Sequence, residues 1–158
     1  MQKIWAPWRE AFILGKKPKG CIFCLRKKSP QDKQNLILFR GKTAFVILNL
    51  YPYNPGHVMV VPNRHIGSLD RLTEPEQKEL LGLAGKSVNA LKRAFRPQGF
   101  NLGMNLERVA GAGVLGHIHI HVVPRWNGDT NFMPLVADTK VVSSSLSRTY
   151  LELKKAFR

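Results

Sequence analysis

The sequence predicts an α+β protein built on an antiparallel sheet. Strand-like runs rich in β-branched and aromatic residues come first, one long helical period follows, and further strands come after it. Pro- and Gly-containing turns separate the strands. At 158 residues the chain is expected to form one domain, 1–158, long enough to bury a core. A basic N-terminal extension (1–20) and a C-terminal extension with a helix (135–158) flank the centre.

Each element has its own signal. Residues 1–15 carry Trp5, Trp8, Phe12 and Ile13, which predicts a docked start, and Gly15 to Gly20 is a charged loop. Leu36–Arg40 and Thr43–Leu50 are β-rich runs divided by Gly41-Lys42, a hairpin. Pro55-Gly56 suits a type II turn, with Gly56 supplying positive φ. His57–Pro62 is the next strand, closed by its proline. Thr73-Glu-Pro-Glu76 is a capping box with Pro75 in the first turn. Leu80, Ala84, Val88, Leu91 and Phe95 then recur every three or four residues on one helix face. Arg96-Pro97 ends that helix. Phe100–Asn105 reads as a strand, Leu106–Gly116 as a glycine-rich loop, His117–Pro124 as a strand and Asn127–Asp129 as a turn. Ser143 to Ser145 can cap a last helix carrying Leu146, Tyr150, Leu153 and Phe157.

The charge is strongly positive, +15 overall. Residues 1–42 hold eleven Lys and Arg against Glu10 and Asp32. Such a field attracts nucleic acid, a membrane surface or polyphosphate, or is simply a solvated lysine-rich face. No aromatic residues interleave the lysines at 16–19 or 26–28, which counts against base stacking. No apolar run reaches the roughly 18 residues of a membrane span, and the N-terminus lacks the apolar stretch of a signal peptide. Two cysteines without a disulfide framework suggest a reducing cytoplasm.

Function concentrates at His117-Ile-His119-Ile-His121-Val-Val123. Alternation on a strand puts the three imidazoles on one face, roughly 6.5–7 Å apart, and sends Ile118, Ile120 and Val122 to the core. Three histidines on a face suit nucleophilic attack, proton transfer or metal binding. Cys21-x-x-Cys24 has zinc-ligand spacing but needs two more donors. A redox pair or two buried thiols are the other readings; the pair is not expected to open a helix after a strand, which argues against the redox one.

His117-x-His119-x-His121-Val-Val resembles the signature of the histidine-triad (HIT) family of nucleotide hydrolases and transferases. Asn49-Leu-Tyr-Pro-Tyr-Asn-Pro-Gly-His57 resembles that family's upstream strand–turn–strand. Val123-Pro-Arg-Trp-Asn-Gly-Asp-Thr-Asn-Phe132 is similar to the branch acting on diadenosine tetraphosphate. The resemblance covers residues 20–135. It implies a five-stranded antiparallel sheet with helices on one side, and a homodimer that joins two sheets into one.

It also implies roles. His119 would attack the α-phosphorus and form a covalent nucleotidyl-histidine, resolved by water or by inorganic phosphate. His57 and His121 would donate to phosphate oxygens. Asn49 matches the ribose-binding position, though it also suits a turn at a strand end. Asn105 matches a polar position facing the scissile phosphate, though it equally suits a strand end bonding the next loop. Gly113 stands where many relatives carry Gln or Ser, so backbone N–H groups would replace a side-chain donor. Cys21, Cys24, His65 and His117 occupy the positions of a structural Zn²⁺ site. Other outcomes are a nucleoside phosphoramidate hydrolase, another nucleotidyl transferase and, from a different class, a zinc-containing nucleic-acid-binding module.

Overall fold

The computed structural model describes residues 20–129 and 144–157. One sheet runs through them: β1 (Ile37–Arg40), β2 (Ala44–Leu48), β3 (Val58–Pro62), β4 (Gly99–Gly103) and β5 (Ile120–Arg125). All pairings are antiparallel, in the order β1-β2-β3-β5-β4. Around it lie α1 (Ile22–Lys28), α2 (Asp32–Asn35), α3 (Glu74–Phe95), α4 (Leu146–Ala156) and a 3₁₀ turn at Leu69–Arg71. The expected docking of Trp5, Trp8, Phe12 and Ile13, and the part that Ser143 would play in a cap, fall outside the described residues.

β2 and β3 are buried at every position because both sheet faces are covered. Val46, Leu48, Val58, Val60 and Val122 face α3 and α4, with Leu80, Leu83, Ala84, Leu91 and Leu153. Phe45, Ile47, Met59 and Val61 face the other way and pack with Phe23 of α1. A two-sided environment explains why these strands read as continuous apolar runs.

The long helix starts and stops where its chemistry predicts. The Thr73 N–H and hydroxyl donate to the Glu76 carboxylate at 2.8 and 3.0 Å. Arg96 ends it in the left-handed region, φ 48°. Its buried face is wider than the apolar periodicity suggests and includes Leu83, Ser87 and Ala90, because α4 packs on the same side of the sheet. The Ser87 hydroxyl is satisfied by donating to the Leu83 carbonyl at 2.7 Å.

Two turns lock the hairpins to this helix. The Glu79 carboxylate accepts the N–H groups of Lys42 (2.9 Å), Thr43 and Ala44 (3.1 Å), and the Thr43 hydroxyl. Gly41 is required there: a Cβ would lie 2.5 Å from Glu79 Oε1 and 2.8 Å from the Ala44 carbonyl. Gly56 adopts φ 82°, and a Cβ there would lie 2.9 Å from Leu91 Cδ2.

Arg64 grips Glu76 with both ends of its guanidinium fork, at 3.0 and 2.8 Å. Those bonds, then the Thr73 N–H, hold the Glu76 carboxyl at about 2. A depressed folded-state value means the unfolded chain binds the proton first as the pH falls. The stabilisation is therefore complete above about 4.5 and is lost as the pH falls toward 2. Glu76→Gln is expected to cost about 1–2 kcal/mol at pH 7, the range of a lost cap. Urea unfolding should find that deficit shrinking below pH 4.5 and absent near pH 2. An unchanged deficit at low pH would contradict the assignment.

Strand β5 begins at Ile120, three residues later than expected. Its ladder with β3 stops at the pair Val60↔Ile120. The Pro62 carbonyl is taken by the His117 ring at 2.9 Å, and the Ile118 N–H turns to the Ile66 carbonyl at 2.8 Å. No helix among the described residues is long and apolar enough to cross a membrane.

Candidate active site and metal centre

The histidine run lies on the sheet face covered by α1. His117 and His119 are buried, at 1% and 4% exposure, and their rings stand edge-on to Phe23, with centroids 5.4 and 5.0 Å away. His121 pairs across the ladder with Met59 and stands 4.7 Å from the His119 ring. Phe23 belongs to the apolar core yet touches both histidines. Its position between two cysteines hid that contact from the sequence.

Hydrogen bonds to fixed backbone groups decide where the ring protons sit. His119 Nδ1 lies 3.0 Å from the His117 carbonyl, so Nδ1 carries the hydrogen. Among the described residues no hydrogen bond occupies Nε2. Burial pushes the His119 pKa down, so the ring is neutral and Nε2 holds a lone pair.

A second chain of bonds fixes His121. The Tyr53 N–H donates to His57 Nδ1 at 3.1 Å, and the Asn49 amide nitrogen reaches the same atom at 3.1 Å. His57 must then carry its hydrogen on Nε2, which donates to His121 Nδ1 at 2.9 Å. The remaining N–H of His121 is on Nε2. Burial, then the neighbouring rings, holds His57 at about 3, and burial followed by His119 holds His121 at about 4. Both rings stay neutral at pH 7, as this chain of single protons requires. Tyr53 covers the pair, 4.6 Å from His57 and 5.9 Å from His121.

His57 thus differs from its expected part as a direct phosphate donor. It has no exposed surface, and both ring nitrogens are engaged by protein groups. Asn49 adjoins it and also braces the turn, its Oδ1 accepting the Tyr51 N–H at 3.0 Å. Asn54 secures the turn's far side, donating to the Pro124 carbonyl at 2.9 Å and to Asp129 at 2.8 Å.

Asn105 lies beyond the end of β4 and donates to the Gly111 carbonyl at 3.3 Å. It lines a cavity of about 210 Å³ with His117 and Ile118 rather than with His119 and His121. Gly113 is exposed in the same loop, and a side chain there would meet nothing within 4 Å.

The four expected metal ligands converge. One donor atom from each of Cys21, Cys24, His65 and His117 falls within 4.8 Å of all the others. His117 Nδ1 is 3.2 Å from Cys21 Sγ and 3.7 Å from Cys24 Sγ, and His65 Nδ1 is 3.5 Å from Cys24 Sγ. A tetrahedral zinc would separate S and N donors by roughly 3.5 Å. The Pro62 carbonyl holds the His117 hydrogen on Nε2, which leaves Nδ1 free to ligate. The donor set therefore fits a metal ion. Contrary to the sequence expectation, Cys21 does open a helix, as the N-cap of α1. What opposes a simple redox pair is the two imidazoles converging on the thiols.

The segments bearing His65 and His117 cross at two glycines. A Cβ on Gly67 would lie 3.0 Å from Gly116 Cα, and Gly116 itself adopts φ 73°.

A buried neutral histidine with an open Nε2, flanked by a second histidine of fixed tautomer, makes a site of the histidine-triad class. The HIT domain family model matches residues 30–128. The chain belongs to the HIT family. It is 39% identical to an AP-4-A phosphorylase of Mycobacterium tuberculosis over 157 residues, covering 94% of this chain and 80% of that one. It is 29% identical to the asymmetrical bis(5'-nucleosyl)-tetraphosphatase of Schizosaccharomyces pombe, over 85% of this chain and 71% of that protein. Among solved structures, a zinc-bound histidine triad family protein from Mycobacterium smegmatis shares the fold. It superposes with a TM-score of 0.69 at 23% identity, covering 87% of this chain and 93% of that one.

Proposed function

We propose that this nucleotide hydrolase or transferase cleaves dinucleoside tetraphosphates, of the diadenosine tetraphosphate kind, at the α-phosphorus. One observation carries the reading: the His119 ring is buried and neutral, with its hydrogen fixed on Nδ1 and its Nε2 unoccupied. The names of the HIT relatives support the substrate class.

Nε2 attacks the α-phosphorus as the bond to the bridging oxygen breaks, and the leaving nucleotide departs with that electron pair. The ring gains positive charge, which the His117 carbonyl stabilises through Nδ1–H. The Nε2–H of His121 donates to a phosphate oxygen, held in that tautomer by His57. Water or inorganic phosphate then attacks phosphorus, the P–N bond returns its electrons to Nε2, and the incoming group loses its proton to solvent. Asn49 would receive the ribose, and the loop carrying Asn105 and Gly113 would border the phosphates. Cys21, Cys24, His65 and His117 would hold zinc, which when bound supplies a cross-link with all four positions filled by protein. The same reading includes a homodimer: β4 is an edge strand, and Asn101, Leu102 and Gly103 on it are exposed.

Product analysis with diadenosine tetraphosphate tests the proposal. ATP with AMP is expected if water is the acceptor, and ATP with ADP if phosphate is. An unchanged dinucleotide, with no adenylylated protein on acid quenching, would overturn it.

A further inference from the structure

Arg26 lies three residues after Phe23 on α1, so the two side chains are neighbours along the helix. Phe23 rests on His117 and His119. Lys27, on the opposite flank of Phe23, donates to the Asn63 carbonyl at 2.9 Å, at the metal-centre end of β3. Helical spacing puts Arg26 on the other flank of Phe23, the side on which the 51–53 turn preceding His57 lies. The Tyr51 phenol on that turn lies within electrostatic range of the guanidinium.

The guanidinium's surroundings are unusual for this chain. Every other arginine among the described residues is exposed, whereas Arg26 is partly withdrawn from water. It makes no hydrogen bond or ion pair with any described residue. No carboxylate among the described residues pairs with it. A cation held that way beside a phosphate-chemistry centre is prepared for an anion, and a guanidinium fork matches phosphate oxygens in pairs.

We infer that Arg26 binds the phosphates beyond the one that His119 attacks, and so selects substrates with a long phosphate chain. The inference rests on the nucleotidyl-transfer reading of the site. It makes Arg26 a specificity residue: the α-phosphorus can react without it, but the distal chain is then held less tightly.

The test compares two substrates with the same α-phosphorus. Diadenosine tetraphosphate has distal phosphates, and adenosine 5'-phosphoramidate has none. Arg26→Met is expected to raise KM for the tetraphosphate about ten- to a hundred-fold, the range of a lost charge-assisted hydrogen bond. Its kcat/KM for the phosphoramidate should fall at least ten times less. Arg26→Lys should recover part of the tetraphosphate affinity, because the charge remains without the fork. Direct titration of the tetraphosphate into His119→Asn protein, with and without Arg26→Lys, gives a binding readout independent of turnover. Equal losses on both substrates, or an unchanged KM and Kd for the tetraphosphate, would overturn the inference. Failure of the unaltered protein to act on either substrate would instead remove the reading of the site, and this inference with it.

Discussion

His119→Gly is expected to lower turnover of a dinucleoside tetraphosphate by about 10⁴-fold or more, the scale seen when a covalent nucleophile is deleted. The fold should survive. The four proposed metal donors are other side chains, and the strand's core contacts come from Ile118, Ile120 and Val122. Removing the ring opens a space against Phe23 and His121. Free imidazole in solution should enter it and restore a measurable fraction of the rate, because the His117 carbonyl remains to orient a ring N–H. A merely structural histidine would give no such rescue. Activity within ten-fold of the unaltered protein, or an adduct trapped on another residue, would remove His119 from the reaction.

Loss of the metal centre should have the second-largest effect. Cys21→Ser with Cys24→Ser removes both thiols, and chelation removes the ion that we propose they hold. Phe23 lies between those cysteines and supports the rings of His117 and His119, so α1 and the histidine run should loosen together. A cost of roughly 3–5 kcal/mol would lower Tm by about 10 °C in a domain of this size. Metal content by elemental analysis, Tm by calorimetry, and hydrogen exchange across 21–28 and 117–121 would report the three consequences separately. Metal-free protein with an unchanged Tm would argue that the four donors converge without holding an ion.

The site was legible where chemistry follows a short period. Alternation in the 117–121 run put three imidazoles on one face, and the proline and glycine before His57 set the turn that carries it. The four donors that converge were expected together only through family likeness; nothing in the spacing of His65 links it to Cys24. Helix α1 was not visible. It has seven residues, too few for a period to emerge, and its last turn is entirely basic. The register of β5 was hidden because it depends on which group takes the Pro62 carbonyl, and a side chain 55 positions away does so. The part played by His57 was hidden for the same reason. Only the Tyr53 N–H, a backbone group, reveals which of its nitrogens is a donor. For Asn105 the structure shows the loop-bracing bond to the Gly111 carbonyl.

The paired glycines at 67 and 116 act as a gauge. Two chain segments, each delivering one imidazole, touch there with no side chain between them. Alanine at 67 would press on a rigid backbone and wedge the segments apart by a few tenths of an ångström, a displacement comparable to the tolerance of a coordination bond. If the four donors hold an ion as proposed, the crossing tunes its affinity from outside the coordination sphere; Gly116 is held to glycine by its own backbone as well, whereas Gly67 is held by this close approach alone.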